Sequence, residues 1–114
     1  MGQTRGPRGR AAEDRAAAYL AANGLRIVAR NFRGPGGEID IVAVDRGTLV
    51  FVEVKQRATA GFGSALAAVD ARKRRRIRTV AEDFLQFVPH VTKIRFDVLA
   101  IDGDRIRHHR GAFA

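Results

Sequence analysis

Cysteine is absent from the 114 residues, which excludes disulfides, thiolate zinc sites and a cysteine nucleophile. No apolar run approaches the roughly 18 residues that a membrane span requires, and no hydrophobic signal-peptide core follows the basic N-terminus. These absences predict a soluble, cytoplasmic protein with no membrane partner. Neither a glycine-rich Walker loop nor a nucleophile elbow occurs, so two common routes to phosphate and acyl chemistry are missing. The three histidines, His90, His108 and His109, do not suit a transition-metal site, because neighbours on a strand point to opposite faces. Lysine is scarce: Lys55, Lys73 and Lys93 stand among 21 basic residues. Acidic residues number 12, which leaves a formal charge of +9.

What is present describes one globular domain. Hydrophobic residues make up 46% and charged residues 29%, a balance that supports a core rather than disorder. The length suits a single domain. Residues 1–9 (MGQTRGPRG) lack apolar periodicity and are expected to form a flexible basic arm, with one domain over 10–114. An Ala-rich helix is expected from Arg10 to about Asn23, stopped by Gly24. Strands follow at Leu25–Phe32, Glu38–Asp45, Thr48–Lys55 and Thr92–Ile101. A long helix is predicted from an N-cap at Ser64 to about Val88, before Pro89. A turn at 102–104 leads into a short last strand or tail. The order α-β-β-β-α-β predicts an α/β mixed sheet with helices packed on it.

The hairpin around Arg46-Gly47 carries the sharpest inference. Setting Asp45 opposite Thr48 aligns Ile39–Val54, Ile41–Val52 and Ala43–Val50 on one apolar face. The other face reads Val44–Leu49, Val42–Phe51, Asp40–Glu53, Glu38–Lys55. A slip of one residue mixes polar with apolar on both faces, so burial selects this register. Arg46 is awkward in a two-residue turn that needs positive φ, which favours a three-residue loop with a bulge. Facing carboxylates at Asp40 and Glu53 destabilise a strand pair unless a positive group lies between them. A hard divalent cation such as Mg²⁺ or Mn²⁺ answers that requirement, with Lys55 on the same face and Glu38 opposite it. The same pattern also describes a surface hairpin with ordinary alternating charges, although charges continuing an apolar face are costly for solubility alone.

Asp40, then twelve residues, then Glu53-Val54-Lys55 resembles the D…(D/E)-x-K core of the PD-(D/E)XK nuclease superfamily. More closely, the chain resembles the YraN-like family of small bacterial proteins, itself similar to archaeal Holliday junction resolvases. The matching stretches are Gly9 with Glu13, Asn31-Phe32-Arg33, Gly37-Glu38-Ile39-Asp40, Val50 to Lys55, Arg57, Phe62-Gly63, Lys73, Arg95 to Val98 and Ala112-Phe113. The resemblance implies a restriction-endonuclease-like, resolvase-like fold with a metal site built from Asp40, Glu53 and the Val54 carbonyl. It further implies that Lys55 orients or deprotonates the attacking water, or offsets phosphate charge. Glu13 would complete the catalytic and metal site, although its place on a helix also suits a solvated charge. Ile39 stands where the family name has Pro. The similarity to resolvases also implies a homodimer.

Arg72 to Arg78 (RKRRRIR) places six basic residues within two helical turns. Their mutual repulsion is unfavourable unless a polyanion is met, so Arg72, Lys73, Arg74, Arg75, Arg76 and Arg78 are candidate nucleic-acid contacts, with Arg57 beside Lys55. A solvated helix face is the plain alternative. Lys73 falls in the apolar stripe of that helix, where its stem covers hydrophobic surface while the charge reaches out. Such contacts position a nucleic acid without reading its sequence. The expected function is a Mg²⁺- or Mn²⁺-dependent endonuclease acting on branched or otherwise structured DNA. Two further readings remain, a non-catalytic nucleic-acid-binding module of the same fold and a protein-interaction adaptor.

Overall fold

A computed structural model describes residues 7–57 and 69–114, with side chains described for 9–56 and 69–114. Helix α1 (Pro7–Ala22) is followed by β1 (Arg26–Gly34), β2 (Gly37–Asp45), β3 (Thr48–Arg57), α2 (Ala71–Leu85), β4 (Ile94–Asp102) and β5 (Arg105–Phe113). The five strands form one sheet in sequential order. All neighbours are antiparallel except β3 and β4, which run parallel and are joined through α2. This is the expected mixed α/β sheet flanked by helices. No described helix is long and apolar enough to cross a membrane.

Alternation along the strands feeds two cores. Ile41, Ala43, Val50, Val52, Leu99 and Ile101 meet Ala12, Ala16 and Leu20 of α1, which recur every four residues and so share one helical face. Val42, Leu49, Phe51, Phe96 and Val98 meet Ile77, Val80 and Ala81 of α2 on the opposite side. Phe51 is stacked on Phe96 and meets Phe84 edge-on. The β2–β3 register is the one that burial selects, from Ile41↔Val52 to Asp45↔Thr48. The turn itself differs from expectation. Arg46 (φ 52°) and Gly47 (φ 86°) both take left-handed dihedrals in a two-residue connection, so an unfavourable arginine is accepted to keep the two faces matched.

Other boundaries shift for identifiable reasons. α1 begins at Pro7, a residue suited to the first helical turn because it lacks an N–H that would have no partner there. Residues 1–6, and the predicted cap at Ser64, lie outside the described residues. Asp70 is extended (φ −77°, ψ −179°) and its carboxylate accepts from the Lys73 N–H. It therefore caps α2 rather than lying inside a helix begun at Ser64. β5 is a full nine-residue strand, held by a buried polar network that single-strand patterning does not reveal. Fully buried Asp97 receives two bonds from Arg95 (2.9 and 3.0 Å), the Gly111 N–H (2.9 Å) and His108 (2.7 Å). Arg95 also reaches Asp45 at 3.0 Å, tying β2 to β4.

This network generates a stability prediction. Burial acts to raise the Asp97 pKa, but the bonds from His108, Arg95 and the Gly111 N–H outweigh it and bring the value down from 3.8 to about 2. A depressed carboxylate pKa contributes stability above its unfolded value and loses that contribution as pH falls through the folded one. Thermal melts should therefore show a progressive loss of stability from pH 4 to pH 2. Asp97→Asn should cost about 3–5 kcal/mol near neutrality by unpairing the buried network, and its melting temperature should be less acid-sensitive in that window.

Candidate metal centre

The site lies where the sheet opens. β2 remains paired with β1 back to Gly37, and β3 remains paired with β4 out to Arg57. Between β2 and β3, however, pairing ends at Ile41↔Val52. The pairs expected beyond that point, Asp40–Glu53, Ile39–Val54 and Glu38–Lys55, are absent from the ladder. In their place the Asp40 carboxylate accepts the Val54 N–H at 2.8 Å, so a side chain fills the position a strand carbonyl would have taken. Asp40 and Glu53 thus come together across an opening rather than as a flat cross-strand pair.

A local kink accompanies this opening. Asn31 on β1 has φ 54°, a conformation asparagine tolerates better than most residues. Ile39 packs with the α2-side core rather than with Ile41, which departs from the simple two-face reading. The Asn31 amide then donates to both oxygens of Glu13 on α1, at 3.0 and 2.9 Å. Arg30 stands 3.6 Å from Glu13 and bonds Asp14 at 2.8 Å. Glu13 is thereby buried but compensated. In the sequence Asn31 stands out only as part of the Asn31-Phe32-Arg33 stretch of the family resemblance, which does not pair it with Glu13.

Three carboxylates surround the opening, with Glu13, Asp40 and Glu53 exposed by 3%, 7% and 8%. Asp40 and Val54 form a common wall. On the α2 side they line a cavity of about 530 Å³ with Glu53, Lys55, Lys73, Arg76 and the Pro35–Glu38 segment. On the α1 side they line a second, of about 160 Å³, with Glu13, Gly9, Ala12 and Gln56. Glu53 is flanked by two ammonium groups, Lys73 at 2.8 Å and Lys55 at 3.5 Å. Burial and the adjacent Lys73 lower the Lys55 pKa despite attraction from Glu53. Burial also opposes the charge on Lys73, but bonds to Glu53 and Lys55 and the attraction of Glu53 and Asp40 outweigh it, raising its pKa.

The donor set fits a hard cation. Two buried carboxylates and a nearby backbone carbonyl are oxygen donors of the kind that hold Mg²⁺ while it keeps several waters. Among the described residues no three acidic or imidazole groups close into a ready cage, so water would supply the rest of the coordination, with Glu13 facing Asp40 from the other side.

The basic run on α2 divides into two groups. Lys73 and Arg76 line the carboxylate cavity and, with Arg72 and Asp70, an adjoining cleft of about 350 Å³. The Arg76 side chain passes 3.3 Å from the position a Cβ would occupy on Gly37, so that glycine (φ 142°) admits it to the rim. Arg75 is exposed. Arg74 instead bonds the Val69 carbonyl and lies over the Phe113 ring, and Arg78 bonds the Ala114 carbonyl at 2.7 Å. Those two arginines hold the C-terminal segment against α2. The side chain of Arg57 lies outside the described residues. Lys73 is placed closer to the carboxylates than a surface phosphate contact would be, and its position in the apolar stripe was the sequence signal for that.

A mixed sheet flanked by two helices is the arrangement of a resolvase-like α/β domain. The chain belongs to the YraN-like family, described as uncharacterised protein family UPF0102, whose pattern matches residues 12–101. It is 54% identical over 110 residues to a UPF0102 protein of Ralstonia pickettii (strain 12J), covering 92% of this chain and 88% of that one. It is likewise 54% identical over 110 residues to a UPF0102 protein of Ralstonia nicotianae, covering 92% and 85%. A UPF0102 protein of Pseudomonas putida (strain GB-1) is 49% identical over 105 residues, covering 90% and 83%.

The kink at Asn31 yields a test of how the site is held. Asn31→Val should lower stability by about 1–3 kcal/mol in chemical denaturation, because a β-branched residue is strained at positive φ. Asn31→Gly should keep the backbone and cost less. Equal losses in the two variants would show that the Glu13 bonds, and not the dihedral, carry the effect.

Proposed function

We propose that this protein is a metal-dependent endonuclease that hydrolyses phosphodiester bonds in branched or otherwise structured DNA. The observation that carries the reading is the placement of buried Asp40 and Glu53 on one cavity, beside Lys55 and a bank of basic side chains from α2. Burying carboxylates is costly without a compensating charge, and here the compensation is concentrated at a cavity of about 530 Å³.

Asp40, Glu53 and the Val54 carbonyl would hold Mg²⁺ or Mn²⁺, with Glu13 approaching from the α1 side. Such an ion polarises a phosphate oxygen and makes a bound water a nucleophile near neutral pH. The chain's own residues supply the remainder. Lys55, anchored by Glu53, meets the charge that develops on the phosphate and orients the attacking water. Arg72, Arg75 and Arg76 bind flanking phosphates and hold the strand in place. Asn31 keeps Glu13 aimed at its cavity. The net charge of +9 draws nucleic acid to this face through counterion release, independent of sequence. A homodimer, placing two such sites on opposite strands, follows the resolvase resemblance.

The test is incubation of labelled junction, flap and duplex DNA with and without Mn²⁺. Cleavage of structured DNA should require the metal and fall by at least about 100-fold in Asp40→Asn and Glu53→Gln. DNA affinity in those variants should be retained, and it should weaken linearly in log–log dependence on salt. Binding without cleavage by the native protein would favour a non-catalytic nucleic-acid-binding module. Negligible binding even at low salt would contradict both readings.

A further inference from the structure

We infer that Lys73 is a built-in counter-ion of the carboxylate site, which holds the Glu53 oxygen in the metal-free protein and transfers its charge to the DNA phosphate when a divalent cation enters. This inference rests on the proposed metal-dependent function and adds a residue from another element to the site.

The geometry that points to it is local. Lys73 arises from the first turn of α2, far in sequence from the β2–β3 hairpin, yet its Nζ lies 2.8 Å from Glu53 Oε2. Lys55, from the same strand as Glu53, is farther from that oxygen at 3.5 Å. One carboxylate oxygen thus faces two ammonium groups, with Asp40 and Glu38 on the same cavity. Both lysines are about one-fifth exposed, so neither is dispersed by solvent as a surface charge is. Lys73 also lies on the wall shared by the carboxylate cavity and the arginine cleft formed with Arg72 and Arg76. A flexible four-carbon stem allows its ammonium to serve either side. An incoming dication would compete for the Glu53 oxygen and repel Lys73 toward that cleft, where an anion held beside Arg72 and Arg76 would receive it in addition to Asp70. Because α2 begins at the Asp70 cap through the Lys73 backbone N–H, replacing the side chain leaves the cap bond intact.

Calorimetric titration of the full chain with Mn²⁺, in the absence of DNA, separates the outcomes. Lys73→Met should bind Mn²⁺ at least about tenfold more tightly than the native protein at low salt, since a competing charge is removed, and should bind DNA more weakly once metal is present. Lys73→Arg should restore both values toward native. Native and Lys73→Met affinities within twofold of each other would overturn the counter-ion role while leaving the metal site intact. Absence of Mn²⁺ uptake in both proteins would overturn the metal site and this inference together. Should the variant fail to fold, the native chain offers a second readout, because its three lysines give few signals after ¹³C-methyl labelling. The Lys73 signal should move on saturation with Mg²⁺ while that of Lys93 stays fixed. A stationary Lys73 signal in Mg²⁺-bound protein would overturn the inference.

Discussion

The single bond on which this site depends is the one from the Val54 N–H to the Asp40 carboxylate. A strand pair normally continues until a turn or an edge stops it. Here β2 and β3 stop pairing in mid-strand while each keeps its other neighbour, so the sheet opens as a wedge. Backbone groups at such an opening need partners, and Asp40 meets that need for Val54. The carboxylate is thereby fixed between the two helical layers, where it borders both the Glu53 cavity and the Glu13 cavity. Straight continuation of the ladder would have set Asp40 and Glu53 side by side on one flat face and left no recess for a ligand.

Around that wedge a strongly basic chain buries several acidic groups, and each is answered differently. Asp97, on β4 beside Val52 of β3, is saturated by Arg95, His108 and the Gly111 N–H and serves to staple β5 to the sheet. Glu13 is met by an amide and a guanidinium. Glu53 is met by two ammonium groups, which are compact charges on flexible stems, unlike a forked guanidinium. A guanidinium network suits structure, and paired ammonium groups suit the cation and phosphate site proposed above. The same division runs through α2, where Arg74 and Arg78 anchor the C-terminal segment while Arg72, Arg75 and Arg76 remain toward solvent or the cavity rim.

Much of this architecture was legible in the chain because burial writes a period-two pattern. The alternation of Ile41, Ala43, Val50 and Val52 against Val42, Val44, Leu49 and Phe51 settled the hairpin register even against a turn that disfavours Arg46. The same pattern brought Asp40 and Glu53 to one end of the hairpin. It did not reveal that the strands part there, because parting depends on a side chain capturing a backbone N–H, which leaves no periodic trace. Nor did it place Ile39, whose switch to the α2 side accompanies the left-handed Asn31 on the neighbouring strand. The start of α2 was obscured because Asp70 reads as one more polar residue in a helical run, and its capping role is visible only from its extended dihedrals. Lys73 was legible as an anomaly in an apolar stripe, but its partner, Glu53, lies on another element and is supplied by tertiary packing.

The central claim is that the wedge between β2 and β3 shares one hard cation between Asp40 and Glu53. Anomalous scattering from crystals grown in Mn²⁺ tests it most directly. The account predicts a peak between the two carboxylates, at bonding distance from both and next to the Val54 carbonyl, with the Lys73 ammonium displaced from Glu53. A wedge without a peak, still bridged by Lys73 at saturating Mn²⁺, would contradict it.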